Sequence, residues 1–191
     1  MTTHYIDITI LPDPEFSHTH LMGALLSKLH RALVQLQSSS IGVSFPQHVD
    51  APLHQRTLGS VLRLHGSEAE LQGLMALDWL KGMRDHIAVK ALAPVPAQST
   101  HRVVRRRQFK TSVERLRRRR MQRKGETAEQ VTQAIPDHVE RKPDLPYAHL
   151  RSQSTGQSFA LFVEHGSLLS EPVIGGFNTY GLSQGASIPW F

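Results

Sequence analysis

Twelve histidines and not one cysteine set the chemistry open to this chain. Without thiols, disulfide scaffolds, thiolate zinc sites, iron–sulfur clusters and cysteine nucleophiles are excluded. His18-x-His20 is the nearest approach to a metal pair, but no carboxylate cluster of ligand spacing accompanies it, so neither a metal site nor a cofactor is expected. Gly181-Leu-Ser-Gln-Gly185 matches G-x-S-x-G. A nucleophile elbow needs a strand before it, a long helix after it, and an acid and a histidine further on. Only six residues follow Gly185, with neither His nor Asp among them, so the match is rejected. Phosphate-loop and dinucleotide motifs are absent. His30 stands at the edge of an apolar stripe, four residues after Leu26 and three before Leu33. That position suits a general base, and on residue types alone it suits a partly buried structural histidine better. The run Leu150-Arg-Ser-Gln-Ser-Thr-Gly-Gln157 places Ser152, Ser154 and Thr155 together. It is either an ordinary polar turn or a set of hydrogen-bonding groups for a ribose or phosphate.

The charge is concentrated. The formal net charge is +6 over 191 residues. Residues 101–124 hold ten Arg and two Lys against Glu114, giving +11, so the rest of the chain stands at −5. One cationic block on a mildly acidic body points to a polyanion docked in one place. Arg115, Arg119 and Arg123 recur every fourth residue and share a helical face, with Arg118 and Gln122 beside them. Along a phosphate backbone such a face would release several counterions. Few apolar residues accompany it, which argues against a membrane-surface helix. Upstream, Arg106 and Gln108 are of types that pair bidentately with guanine and adenine.

The elements that must position these residues follow from periodicity. His4–Ile10 alternates as a half-buried strand, with Tyr5 and Asp7 on the face opposite Ile6, Ile8 and Ile10. A helix from about Ser17 carries one broad apolar stripe, Leu21 to Leu36, too interrupted by polar residues to span a bilayer. Strands are expected over Ile41–Phe45, Ser60–His65 and His86–Lys90. Between the last two, the capping box Ser67-x-x-Glu70 opens a helix reaching Met83. The order β-α-β-β-α-β predicts an α+β, ferredoxin-like N-terminal domain over residues 1–95. Residues 91–100 read as a linker. Residues 96–191 read as an α+β segment with an arginine-rich helix at 112–124, a short helix at 127–134, and strands at 147–150 and 158–163. No secretory signal is read at the start, and a soluble, cytoplasmic protein with no membrane partner is expected.

Several blocks in one order are similar to a known family. They are Pro12-Asp-Pro-Glu-Phe16, Lys28-Leu-His30, Ile41-Gly-Val-Ser-Phe-Pro46, Glu114-Arg-Leu-Arg-Arg-Arg119, Leu150–Gln157, Gly175-Gly-Phe177, Tyr180-Gly-Leu-Ser183 and Pro189-Trp-Phe191. Together they resemble the CRISPR repeat-processing endoribonucleases of subtype I-F systems. The resemblance implies a ferredoxin-like N-terminal domain and a C-terminal half that grips a hairpin in the repeat transcript. It implies metal-independent cleavage at the 3′ base of that hairpin, retention of the mature crRNA, and association with other subunits of a subtype I-F surveillance complex. By position, His30 would be the active-site histidine. Ser152 would hold the nucleophilic ribose hydroxyl, and Tyr180 would orient the histidine. Arg106 and Gln108 would read bases at the foot of the stem, and Phe159 would stack on its closing base pair. Arg115, Arg118, Arg119 and Arg123 would lie along the hairpin's major groove. Gln122 departs from the resemblance, where a basic residue is expected. The alternative is a non-catalytic hairpin-binding subunit, which would not need His30.

Overall fold

A computed structural model describes residues 2–50, 54–109, 113–136, 144–152 and 156–191. It is a mixed α+β chain whose described residues form antiparallel sheets and four α-helices. Two compact units are present: residues 1–107 with 145–191, and residues 108–144. The break expected after residue 95 lies inside the first unit.

In that unit β1 (His4–Ile10) buries Ile6, Ile8 and Ile10, as the alternation requires. Helix α1 (His18–Leu36) starts where the Ser17 hydroxyl accepts from the His20 N–H, and it buries Leu21, Met22, Leu25, Leu26, Leu29 and Leu33. β2 (Gly42–Ser44), β3 (Val61–Gly66), α2 (Glu68–Ala76) and β4 (Ile87–Val89) follow. The first sheet runs β2-β3-β1-β4 with every neighbour antiparallel, and β5 (Ala93–Pro94) also pairs with β1. Both halves of the capping box are formed at Ser67 and Glu70.

Two local expectations fail for physical reasons. Helix α2 stops at Ala76, because Leu77 turns extended at ψ 137°. Leu80 and Met83 are still buried, but from turns, with Gly82 left-handed at φ 76°. Apolar spacing alone does not separate these conformations. Asp7 is only 4% exposed, although alternation places it on the face opposite the isoleucines. It faces Arg63 across the β1–β3 pair and accepts from Nε at 2.6 Å and Nη2 at 3.0 Å. Arg63 also donates to the Phe191 carbonyl at 2.9 Å and lies over the Tyr5 and Phe191 rings. The C-terminus therefore covers a face that one strand, taken alone, would leave wet.

The second sheet runs β7-β8-β6-β9, again antiparallel, from β6 (Thr100–Arg107), β7 (Tyr147–Arg151), β8 (Ser158–Leu169) and β9 (Ile188–Trp190). Val104, Ala148, Leu150, Leu161, Val163 and Ile188 join Ile8, Leu25 and Leu29 in one apolar core. Burial strongly perturbs two of this unit's histidines. His65 is fully buried, with Nε2 hydrogen-bonded to the Ser44 hydroxyl at 2.8 Å, and burial holds its pKa down at about 3. Burial also lowers His165, which stacks on His48 at 3.6 Å. The unfolded chain takes up these protons first, near the ordinary value of 6.5. Stability is then complete above that pH and falls as the pH drops toward 3, by about 1.4 kcal/mol per pH unit for each such histidine. Denaturant titrations at stepped pH should show this slope, and His65→Gln should remove one histidine's share of it; an equally steep variant would remove His65 as a cause.

In the second unit, α3 (Val113–Lys124) is followed by α4 (Ala128–Ala134), with Gly125 left-handed between them at φ 64°. Residues 110–112, including the expected helix start at Ser112, lie outside the described residues. The arginines divide into two sets. Arg117 donates Nε and Nη2 to the Ile135 carbonyl at 2.9 and 2.7 Å, and Arg120 forms a two-pronged pair with Glu126. Arg115, Arg118, Arg119 and Arg123 are exposed. Among the described residues no helix is long and apolar enough to cross a membrane.

Candidate active site

Ser27, His30, Arg31, Val34 and Gln35 recur at three- and four-residue steps and so share one face of α1. That face forms one wall of a groove of about 410 Å³. The other wall is Leu150 and Arg151 of β7, Ser152 just beyond it, Phe159 of β8, and Tyr180. Gly23 lets the walls approach, since a Cβ there would run into the His149 carbonyl of β7. The groove thus gathers His30, Ser152, Phe159 and Tyr180, four residues spread over 150 positions of chain.

The His30 ring is held on two sides. Its Nδ1–H donates to the Thr179 carbonyl at 3.1 Å. A carbonyl only accepts, so Nδ1 carries the proton and Nε2 is left as the basic nitrogen of the neutral ring. Tyr180 stacks on the imidazole with centroids 4.2 Å apart and planes 5° from parallel. Tyr180 is fixed in turn by the Asn178 side chain, whose Oδ1 accepts from the Tyr180 N–H at 2.8 Å and the Leu182 N–H at 3.2 Å. Gly181, left-handed at φ 71°, ties this loop to β2 by accepting from the Val43 N–H at 2.9 Å. Ser152 closes the end of β7, where its N–H donates to Gln157 O and its carbonyl accepts from Gly156 N–H, both at 2.8 Å.

The basic strand β6 serves two faces. Arg105 and Arg107 point to Glu164 of β8, at 4.0 and 3.2 Å. Arg106 takes the other side, with its guanidinium carbon 5.6 Å from the centroids of both Phe159 and Tyr180. Its Nε is buried with no hydrogen-bond partner among the described residues. Gln108 begins the second unit, which also holds the exposed arginines of α3. Ser154 and Thr155 lie outside the described residues. Ser183, the serine of the rejected elbow motif, is buried and donates to Gly176 O at 2.8 Å. Among the described residues no group of three or more His, Asp or Glu side chains is placed to hold a metal ion.

The residue-level reading passed over Arg31, Gln35 and the Thr179 carbonyl. For the first two a signal was available, since Arg31 lies four residues after Ser27 and Gln35 four after Arg31. For Thr179 no local signal exists, since a backbone carbonyl carries no side-chain type.

Comparison with known proteins gives the class. Residues 5–191 match the family model described as CRISPR-associated protein (Cas_Csy4), and the chain belongs to that family. It is 48% identical over 188 residues to a CRISPR-associated endonuclease Cas6/Csy4 of Pseudomonas aeruginosa (strain UCBPP-PA14), covering 98% of this chain and 99% of that protein. It is 45% identical over 188 residues, with the same coverage, to a CRISPR-associated endonuclease Cas6/Csy4 of Escherichia coli (strain UTI89 / UPEC). A solved structure described as a RAMP protein binding different RNA substrates covers 98% of this chain and all of its own, at 10% identity and a TM-score of 0.35, too low to add to the assignment.

Proposed function

We propose that this protein is the repeat-processing endoribonuclease of a subtype I-F CRISPR system, acting in the cytoplasm on the hairpin of the repeat transcript. Family membership and the two endonuclease relatives support the substrate class. The observation that carries the chemistry is the His30 ring, its tautomer set by Thr179 and its plane by Tyr180, in one groove with Ser152.

RNA supplies its own nucleophile, the 2′-hydroxyl beside the scissile phosphate. His30 Nε2 removes that proton, and Ser152 holds the ribose so that the 2′-oxygen bonds to phosphorus in line with the P–O5′ bond that breaks, the leaving 5′-oxygen taking a proton from solvent. The products are a 2′,3′-cyclic phosphate and a 5′-hydroxyl, and no step calls for a metal ion. General-base catalysis contributes roughly 10²–10⁴-fold, with alignment supplying more. Arg106 and Phe159 form a cationic and aromatic platform for the foot of the stem, where Gln108 reads a base. Exposed Arg115, Arg118, Arg119 and Arg123 run along the stem phosphates, with Ser154 and Thr155 on the backbone nearby. Tight binding keeps the mature crRNA in place and delivers it to the other complex subunits. The β-α-β-β-α-β order and the β2-β3-β1-β4 sheet support a ferredoxin-like reading of residues 1–95, with residues 96–191 gripping the RNA.

Single-turnover assays in EDTA test this directly. A repeat hairpin should be cut, and a 2′-deoxy nucleotide just upstream of the cut should abolish cleavage. Persistent cleavage of the deoxy substrate would exclude the 2′-hydroxyl route. Tight binding without cleavage of either RNA would leave the non-catalytic hairpin-binding subunit as the reading.

A further inference from the structure

The catalytic groove does not end at His30. Arg31 and Gln35 line it, and the same two residues line a second groove of about 410 Å³ with Lys28, Ala32, Leu77, Asp78 and Trp79. The two depressions meet over the exposed face of α1. Their charge is one-sided. Asp78 is engaged by Arg84 at 2.8 Å, whereas Arg31, directly after His30, is exposed with no ion-pair or hydrogen-bond partner among the described residues. Lys28 adds a second cation, its ammonium donating to Lys81 O at 2.6 Å. An arginine left unpaired at a catalytic histidine, on a path lined by a lysine and an amide, suits a phosphodiester chain.

We propose that Arg31, assisted by Gln35, forms a phosphate subsite for the single-stranded RNA 3′ of the cut. The inference rests on the hairpin-cleavage reading. If Arg106 and Phe159 hold the foot of the stem, the scissile phosphate lies at His30. The chain leaving the site then crosses Arg31 and Gln35 into the second groove, which contains none of Ser152, Phe159 and Tyr180. Arg31 touches only the fragment that departs. It therefore favours the uncut transcript and contributes nothing to holding the product. That asymmetry lets the 3′ fragment go while the crRNA stays.

The test uses full-length protein and a repeat hairpin that the parent cleaves, made uncleavable by a 2′-deoxy nucleotide at the cut. One version ends at the cut and the other carries a single-stranded 3′ extension. Arg31→Ala should weaken binding of the extended RNA by roughly fivefold at physiological salt, the counterion-release worth of one phosphate contact. Its salt slope on that RNA should fall by about 1, while the truncated RNA binds as before. Arg31→Lys should restore most of the loss. Equal effects on both RNAs, or no effect on either, would overturn the subsite and leave the cleavage reading standing. A parent that neither binds nor cuts any repeat hairpin would overturn both.

Discussion

His30→Ala should slow single-turnover cleavage of the repeat hairpin by about 10²–10⁴-fold while leaving its affinity for that RNA unchanged. The separation follows from geometry. His30 lies on α1 and reaches only the groove, whereas the exposed arginines proposed to hold the stem lie in the other compact unit. The imidazole's contacts, a hydrogen bond to Thr179 and a stack on Tyr180, orient the ring without carrying the core, so its removal leaves the apolar cluster intact. Quench-flow cleavage and an equilibrium binding curve on the same RNA check both halves. Cleavage at the parent rate with unchanged affinity would remove His30 from the chemistry. A parallel loss of binding would make it a structural residue.

Asp7→Ala should cost up to about 3–5 kcal/mol of folding stability, because it strands a largely covered guanidinium, 11% exposed. Arg63 would lose both prongs of its pair and keep only the Phe191 carbonyl and two aromatic faces. Replacing both partners by apolar residues, as in Asp7→Leu with Arg63→Met, should be far milder, since burying the pair already carries a desolvation penalty. Urea unfolding of the single and double variants checks this. A single variant within about 1 kcal/mol of the parent would mean water reaches the site and satisfies Arg63.

What the sequence made legible was local. β1, the α1 stripe and the Ser67 and Glu70 capping box depend on neighbours within a few residues, and all stand where periodicity and capping place them. β6 was hidden because its arginines mask any apolar alternation. It is a strand through pairing with β8 and β9, which lie some sixty to ninety positions further on. The burial of Asp7 was hidden for a similar reason, since its partner Arg63 comes from β3 and is itself covered by Phe191. At the site, periodicity could place His30 on a stripe edge but not distinguish a base from a structural ring. The contacts that orient the ring come from Thr179 and Tyr180, about 150 residues away, and only the family resemblance pointed to Tyr180 beforehand. The ten arginines of the basic block looked alike in sequence, and hydrogen bonds to Ile135 and Glu126 separate two of them from the exposed set.

The contact at Gly23 has a consequence for the width of the groove. At that position helix α1 meets the main chain of β7 directly, since a Cβ there would run into the His149 carbonyl. The spacing at this point is therefore set by backbone against backbone and not by the side chains of Arg31 and Gln35 further along the helix. A residue with no chemistry of its own fixes how near the wall bearing His30 can stand to the wall bearing Ser152, and any larger side chain at position 23 would have to push the two apart.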